Sequence, residues 1–581
     1  MSTQFDDLLG GFPAAAVPPA LEMVPAGAGG EQAMGAFDGA SRFDEALSFW
    51  QPQLASADAD IIPEMGLGDA RARDMLRNDS YVQGGATLHK DNIVGAQYVL
   101  NAKPSSLVLF GKQDDVWESE MQEEVEETFD LMAESPENYF DAARMNTFTG
   151  LIRLGVGIHL AGGEILSTVE WIKNGRPFNT AIQAVDKDRL STPPLMMLDG
   201  SIRAGIELHP TFKYPLAYHI RSVHPNDYLP TFQNFSSMWT WKRVARATKW
   251  GRLQVIHLLE QMRPDQTRGI AAMVSALKEM RITRKFRDVT LQNAVTQALY
   301  AAAITSERPP AEAYAMLGAG GTPPDAETVQ KMMTDYMVGY FNTINEFTGG
   351  SKNLHVDGVR IPHLPPGTKL DILSPGKGGP LGMEFEASLL RYIAATLGVS
   401  YEQLSRDYTK TNYSSARAAM AETWKFMQSL KKLVADRYAT IIYRLWLEEM
   451  VNADRFTTFP KAKAGLLYEN NALGLRFDAL SRCDWIGAAR GQIDELKETQ
   501  AAVLKINNGL STREDEIARL GGDWRKKLRQ QAREAKFIDD IEKTLGRPLF
   551  NTSASAAMVN ATEGGAQPTN SPKADGEGDD E

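Results

Sequence analysis

The stretch LLRYIAATLGVSYEQLSRDYTKTNYSSARA, Leu389 to Ala418, decides how this chain is read. Leu390, Ile393, Ala394 and Leu397 repeat at i, i+3, i+4 and i+7, with Leu389 beside them, so they form one apolar helix face that stops at Gly398. Val399 to Leu404 reads as a short turn. From Ser405 to Asn412, Arg406, Asp407, Lys410 and Asn412 stand among Tyr408, Thr409 and Thr411, and no apolar spacing would bury them. Ser414 or Ser415 suits the cap of a second helix. That helix carries Met420, Trp424, Met427, Leu430, Val434, Ile441, Leu445 and Met450. Two helices joined by a polar loop are therefore expected.

Working outward, 581 residues exceed one typical core, so two or more domains are expected. Hydrophobic residues at 43% and charged residues at 23% fit a soluble globular protein. The lone Cys483 excludes an internal disulfide and fits assembly in a reducing cytoplasm. No run approaches the ~18 apolar residues of a membrane span. The opening thirty residues lack a basic start and are rich in Pro and Gly, which reads as a flexible arm. A net charge of −12 argues against a chain whose main task is gripping nucleic acid, since that affinity comes from Lys and Arg displacing counterions.

Residues 1–40 and 551–581 lack periodicity and are expected to be disordered. Residues 66–100 read as a helix and then a strand. Gln113 to Thr128 holds eight acidic residues, with Val116, Trp117, Met121, Val125 and Phe129 at helical spacing, so a solvated acidic face is expected. From Ile152 the period changes to two through Leu154, Val156, Ile158 and Leu160, with Gly162-Gly163 as a hairpin turn before Ile165. Further strands are expected near Thr180–Val185, Ile202–Leu208, Leu216–Val223 and Gln254–Leu258, giving an α+β region with a largely antiparallel sheet. Thr267 to Ile304 reads as one long helix, on the order of 50 Å, too long for a compact domain to bury unaided. His355–Ile361 and Lys369–Leu373 read as short strands, and Pro375–Gly382 as a hinge.

Signals of enzyme chemistry are missing. The eight histidines show neither an H-E-x-x-H motif nor a Cys partner, so no metal or other cofactor is expected, and His257 reads as a fixed hydrogen-bonding group. No G-x-x-x-x-G-K-[ST] or G-x-S-x-G motif occurs, and Cys483 has no positioned base nearby in the sequence. Lys242, Arg243, Arg246, Lys249 and Arg252 interleave with Trp239, Trp241 and Trp250. Lys278, Arg281, Arg284, Lys285 and Arg287 lie on the long helix. Both clusters read first as salt bridges between subunits and second as DNA contacts. Arg263 and Arg268 are expected to position the start of that helix.

The words GVSYEQL, DY and NYSSAR, in that order, resemble the lambda-type portal proteins of tailed phages. So do RARDMLRN (71–78), DNIVGAQYVL (91–100), IELHPTFKYPLAYHI (206–220), VIHLLEQMRPDQTRGI (255–270) and GLSTREDEIARLGGDW (509–524), which together cover roughly residues 40–545. The resemblance implies a multi-domain α+β portal fold assembled as a dodecameric ring. Its parts would be a wing with N-terminal helices at 41–266, a stem helix at 267–304, a clip region at 305–384, a helix and tunnel loop at 385–413, and a long helix with a helical crown at 414–550. It implies a channel at one capsid vertex of the virion, assembled in the host cytoplasm, for packaging and ejecting double-stranded DNA without sequence specificity. Its partners would be the terminase large subunit, the major capsid protein and head-completion or tail-connector proteins. Arg406, Asp407, Tyr408, Lys410, Asn412 and Tyr413 are the candidate channel residues. Two alternatives of other classes are a metal-dependent nuclease, which would need clustered carboxylates around Mg²⁺, and a scaffold or adaptor that forms no ring.

Overall fold

The computed structural model describes residues 49–225, 239–299, 383–409, 411–468, 475–491 and 494–547, with the short segments 353–356 and 359–362 and scattered positions at 47 and within 327–339. The expected terminal arms, the strand Lys369–Leu373 and the hinge Pro375–Gly382 lie outside the described residues. The chain divides into two units, Met1–Ala55 and Ser56–Glu581, and every helix and strand named here belongs to the second.

Where one helix was expected before Val99, there are two: α1 (Ala57–Asn78) and α2 (Ser80–Ile93). Asp79 separates them, because its extended backbone ends α1 while its carboxylate accepts from the N–H groups of Tyr81 and Val82 at 3.0 and 3.1 Å. Strand β1 (Val99–Ala102), a short α3 (Ser106–Phe110) and α4 (Asp115–Ala133) follow. Met121, Val125 and Phe129 bury one side of α4 as their spacing predicts. Its acidic face is not simply solvated: Glu126 is buried and accepts from Ala102 N at 2.8 Å and Gln122 Nε2 at 2.7 Å. Burial pushes that carboxyl up to about 7.

The alternation from Ile152 to Leu160 proves misleading, since Phe148–Gly162 is a helix, α5. Thr147 caps it, and its buried residues Phe148, Leu151, Ile152, Gly155, Val156 and Leu160 follow the helical rather than the two-residue period. Gly163, with φ +75, ends it and opens β2 (Glu164–Trp171).

The β region is antiparallel, as expected, and forms two sheets. β2 lies between β3 (Thr180–Ala184) and β8 (Val255–Leu259). The second sheet runs β4 (Ile202–Arg203), β5 (Ile206–Leu208), β6 (Pro215–Arg221), β7 (Trp241–Ala245). The expected strand Ile202–Leu208 is instead a hairpin broken at Ala204 and Gly205, both at positive φ. Likewise His355–Ile361 is not one strand: β9 (Asn353–Val356) pairs antiparallel with β10 (Val359–Pro362).

Helix α6 (Leu277–Leu299) starts ten residues later than its apolar pattern suggests. Residues Ala272–Ala276 form a 3₁₀ turn, and the chain before them is held by a buried ionic network. At its centre Glu164 Oε1 accepts from Arg268 Nε at 2.9 Å, and Oε2 accepts from Gly269 N at 2.6 Å, with His257 Nε2 at 3.2 Å. Arg268 also donates to the carbonyls of Lys187, Leu190 and Ala204. Lys187 Nζ in turn meets Asp69 Oδ2 at 2.8 Å and the carbonyls of Gly162 and Gly269. Burial would raise the Glu164 carboxyl, but the Arg268 charge and the His257 contact hold it well below the usual carboxylate range.

The C-terminal part carries α7 (Met383–Leu397), α8 (Tyr401–Ser405), α9 (Tyr413–Leu430), a π turn at Lys431–Ala435, and α10 (Asp436–Asn452). Short helices α11 (Gly465–Tyr468) and α12 (Leu475–Leu480) lead to β11 (Cys483–Ile486), which pairs antiparallel with β1. Three more helices follow, α13 (Glu495–Asn507), α14 (Arg513–Arg519) and α15 (Trp524–Leu545). One core joins α1, α2, α4, α5, α7 and α10, centred on Phe129 among Phe140, Phe148, Tyr443, Trp446 and Trp485. A smaller core under the second sheet holds Leu190, Ile206, Leu208, Tyr218, Ile220 and Val255. No described helix is long and apolar enough to cross a membrane.

Two outcomes follow. Glu164→Gln should cost about 3–5 kcal/mol in denaturant unfolding, because Arg268 and Lys187 are left buried without that counter-charge. The stability that ionised Glu164 contributes is present above the ordinary glutamate pKa and is lost as pH falls towards its depressed folded value, so the variant should show a flatter acid limb.

Glu126 has the opposite sign: its raised folded pKa contributes stability at low pH that disappears as pH rises through about 7. Glu126→Gln should therefore melt above the parent chain at pH 8 and near it at pH 5, in calorimetry at both values.

Candidate functional site

The polar loop begins where α7 ends. Leu390, Ile393, Ala394 and Leu397 are buried, as their spacing requires, and Gly398 takes φ +64. A Cβ there would stand 2.3 Å from the Phe426 ring, so close packing as well as backbone conformation demands glycine. His89 Nε2–H donates to Leu397 O at 2.7 Å, which ties this helix end to α2. Burial lowers the His89 pKa, keeping the ring a neutral fastener.

Val399–Leu404, read as a turn, contains most of the short helix α8. Ser400 and Gln403 form a reciprocal capping box, and Gln403 Oε1 also accepts from Thr423 Oγ1 of α9 at 2.9 Å. Arg406 closes α8 in the left-handed conformation, φ +58.

Beyond it the exposed chain is held by its own side chains. Asp407 Oδ1 accepts from Thr409 N at 3.1 Å and Thr409 Oγ1 at 2.6 Å, while Asp407 N donates to Ser405 Oγ at 3.2 Å. Asn412, not Ser414 or Ser415, caps α9: its Oδ1 accepts from Ser415 N and Ser414 Oγ, both at 2.8 Å. Tyr413 is already the first helical residue. Arg406, Asp407, Tyr408, Asn412 and Tyr413 are thus all exposed along this short stretch from α8 to the start of α9, and Lys410 lies outside the described residues.

The loop has a foot that the sequence reading missed. Arg417 of α9 and Arg490 line a small cavity with Gln403, Thr423, Trp424 and Glu498. No local spacing links positions 417 and 490, so only the fold could reveal the pair.

Three members of the two basic clusters are paired within the chain. Arg243 pairs with Glu207, Arg252 with Glu448 at 2.6 Å, and Arg287 with Glu386 at 2.5 Å. Lys278, Arg281 and Lys285 remain exposed on α6. Arg263 pairs with Asp60 and Arg268 with Glu164, which anchors the chain ahead of α6.

Burial pushes the Cys483 thiol up to about 11, leaving little thiolate. His257 holds Glu164, as a fixed hydrogen-bonding group should, and His219 holds Glu207 at 2.7 Å. Among the described residues Asp186, Asp188 and His224 bring ligand atoms within 4.8 Å of one another, but Arg73 pairs with both aspartates.

The chain combines a two-helix frame, a self-fastened polar turn and an antiparallel β region, and its sequence is that of a phage portal protein. The chain belongs to the lambda family of these proteins: the model of "Phage portal protein, lambda family" matches residues 44–431. The family is structural rather than enzymatic. The chain is 34% identical over 499 residues to portal protein B of Escherichia phage lambda, covering 85% of this chain and 88% of that protein. It is 35% identical over 503 residues to the portal protein of Escherichia phage N15, covering 86% and 89%. Among solved structures it is similar to a chain in the virion of a native gene transfer agent particle, at 12% identity and TM-score 0.34, over 78% of this chain and 93% of that one. A chain in the neck of the native particle, computed with C12 symmetry, matches at 12% identity and TM-score 0.34, over 81% and 95%.

Capping and nucleic-acid contact make different demands on Asn412. Asn412→Ala should lower stability by about 1 kcal/mol, and Asn412→Asp should restore it, since a carboxylate caps as well as an amide. Chemical denaturation of the three chains checks this; equal stability throughout would show that the cap contributes nothing.

Proposed function

We propose that this portal protein assembles as a closed dodecameric ring at one capsid vertex, with a central channel for double-stranded DNA during packaging and ejection. In this reading residues 41–266 form the wing, 267–304 the stem, 305–384 the clip, 385–413 the helix and tunnel loop, and 414–550 the long helix and crown. The terminase large subunit, major capsid protein and head-completion or tail-connector proteins dock on it. Assembly takes place in the host cytoplasm.

The observation that supports it best is the loop itself. α9 buries only Thr423 and Met427, whereas α10 buries eleven residues, so the long helix is anchored at one end and carries the turn at the other. Repeated around an axis, such turns form a narrow polar collar. A net charge of −12 suits a conduit, because a strongly basic lining would hold DNA rather than let it slide. Arg406 and Lys410 attract phosphates transiently, while Asp407 both repels them and braces the turn.

Negative-stain images and sedimentation of the purified chain test assembly: rings with a central hole support it, and only 64.1 kDa monomers at all concentrations and salts oppose it. For the loop, Arg406→Ala with Lys410→Ala should leave rings intact and change DNA packaging or retention in particles. Asp407→Lys should increase retention, and that excess should fall as salt rises. Asp407→Asn is the control, since it keeps an acceptor for Thr409 while removing the charge. Normal packaging by all these variants would remove the loop from the mechanism.

A further inference from the structure

The last three described helices lie beyond residue 431, where the family match ends, and none of α13, α14 and α15 contains a buried residue. Yet they are not polar all round. On α13, Leu496 and Val503 stand seven residues apart with Leu504 beside the second, and their exposures are 65%, 50% and 61%. A seven-residue apolar repeat is the seam that another helix covers. On α15, Leu528, Ala532, Ala535, Ile538, Ile541 and Leu545 follow at steps of four, three, three, three and four, forming a second seam. Isolated helices of this length are marginal in water, so uncovered seams need a partner.

Within its own chain α15 is fastened to α4 by charges. Lys526 pairs with Asp130, and Arg529 with Glu123 and Glu127. Those contacts use the basic side of α15; along its apolar seam Leu528, Ile538 and Ile541 are half-buried, and Ala532, Ala535 and Leu545 stay exposed. Beyond them, Arg533 and Lys536 extend the basic side, whereas Glu495, Glu498, Glu514 and Asp515 make α13 and α14 acidic at their starts.

Each chain therefore carries two apolar seams flanked by opposite charge. A foreign partner covering one seam would leave the other exposed in every copy. Head-to-tail repetition of the chain covers both, and such heterologous contacts close into rings when the rotation closes. We propose that α15 of one copy packs along α13 of the next, so that these helices form a second belt of subunit contacts. This rests on the ring reading above and names the surface it uses.

Cysteine cross-linking of the full chain tests it. Cys483 is a poor competitor, since its thiol is half-buried and carries little thiolate. One set of chains takes a cysteine at Leu496, Val503 or Leu504, and the other at Ala535, Ile538 or Ile541. Each pair is mixed, assembled and mildly oxidised. In denaturing gels at least one pairing should shift from one-chain to two-chain mass, and the chain carrying both cysteines of that pair should give a ladder. Intact rings in sedimentation with no cross-link in any pairing would overturn the belt and leave the ring standing. A one-chain product closed on itself, or cross-linking between two copies of the same single variant, would overturn the head-to-tail arrangement. Absence of rings would overturn the ring reading and the belt with it.

Discussion

The burial of Glu164 is the constraint on which the rest of the unit depends. Its carboxylate sits at the first residue of β2, fully enclosed, and is matched by Arg268 from the segment ahead of α6. Arg268 then fixes three carbonyls, and Lys187 joins Asp69 of α1 to the end of α5. Two strands, two helices and three loops thus converge on one set of charges. An unmatched charge in such a place costs several kcal/mol, so all the partners must arrive together. Gly163 and Gly269 make the crossing possible: a Cβ on Gly163 would lie 2.1 Å from Ile270 O, and one on Gly269 would lie 2.3 Å from Gly163 O.

Around this point the apolar core supplies most of the cohesion. Phe129 packs against five aromatic rings drawn from α5, α10, β11 and the loop at Phe140. Glu449 adds a polar clamp, its carboxylate accepting from the N–H groups of Asn179 and Thr180 at 2.6 and 2.8 Å. At the π turn Lys431 faces inward, within 2.7 Å of Asp436 Oδ1 and 2.9 Å of Trp485 O. α10 is consequently immobilised on several sides. α9 emerges from that anchor with little burial, and the turn it carries is shaped by short-range hydrogen bonds of Asp407 and Asn412. A rigid base with a self-fastened tip suits the channel collar proposed above, in which the tip would exchange phosphate contacts without disturbing the core.

Charge is distributed to match. Several cations that look available in the sequence are occupied within the chain, Arg243 by Glu207, Arg252 by Glu448 and Arg287 by Glu386. The stacking of Arg221 on Trp239 and Trp241 and of Arg252 on Trp171 places further guanidinium groups against aromatic faces.

Much was legible in the sequence because it is local. The apolar face of α7, its stop at Gly398, the buried side of α4, the strands β3, β6 and β8, and the unburied polar loop all follow from spacing over a few residues. Family words in a consistent order added the class of protein. The errors came where local patterns are degenerate: residues 148–162 satisfy an alternating template and a helical one, and Thr147 together with packing against α2 and β2 selects the helix. Asn412 and Ser414 both qualify as caps, and the loop path selects Asn412. Long-range partners were out of reach altogether, since Glu164 and Arg268 are 104 positions apart and Arg252 and Glu448 are 196 apart. The sequence by itself determined which segments bury a face and which stay in water, because that depends on side-chain period. Only the tertiary structure decided which charges neutralise one another and where the loop is anchored, because desolvation makes a buried charge depend on partners that the chain brings together only when folded.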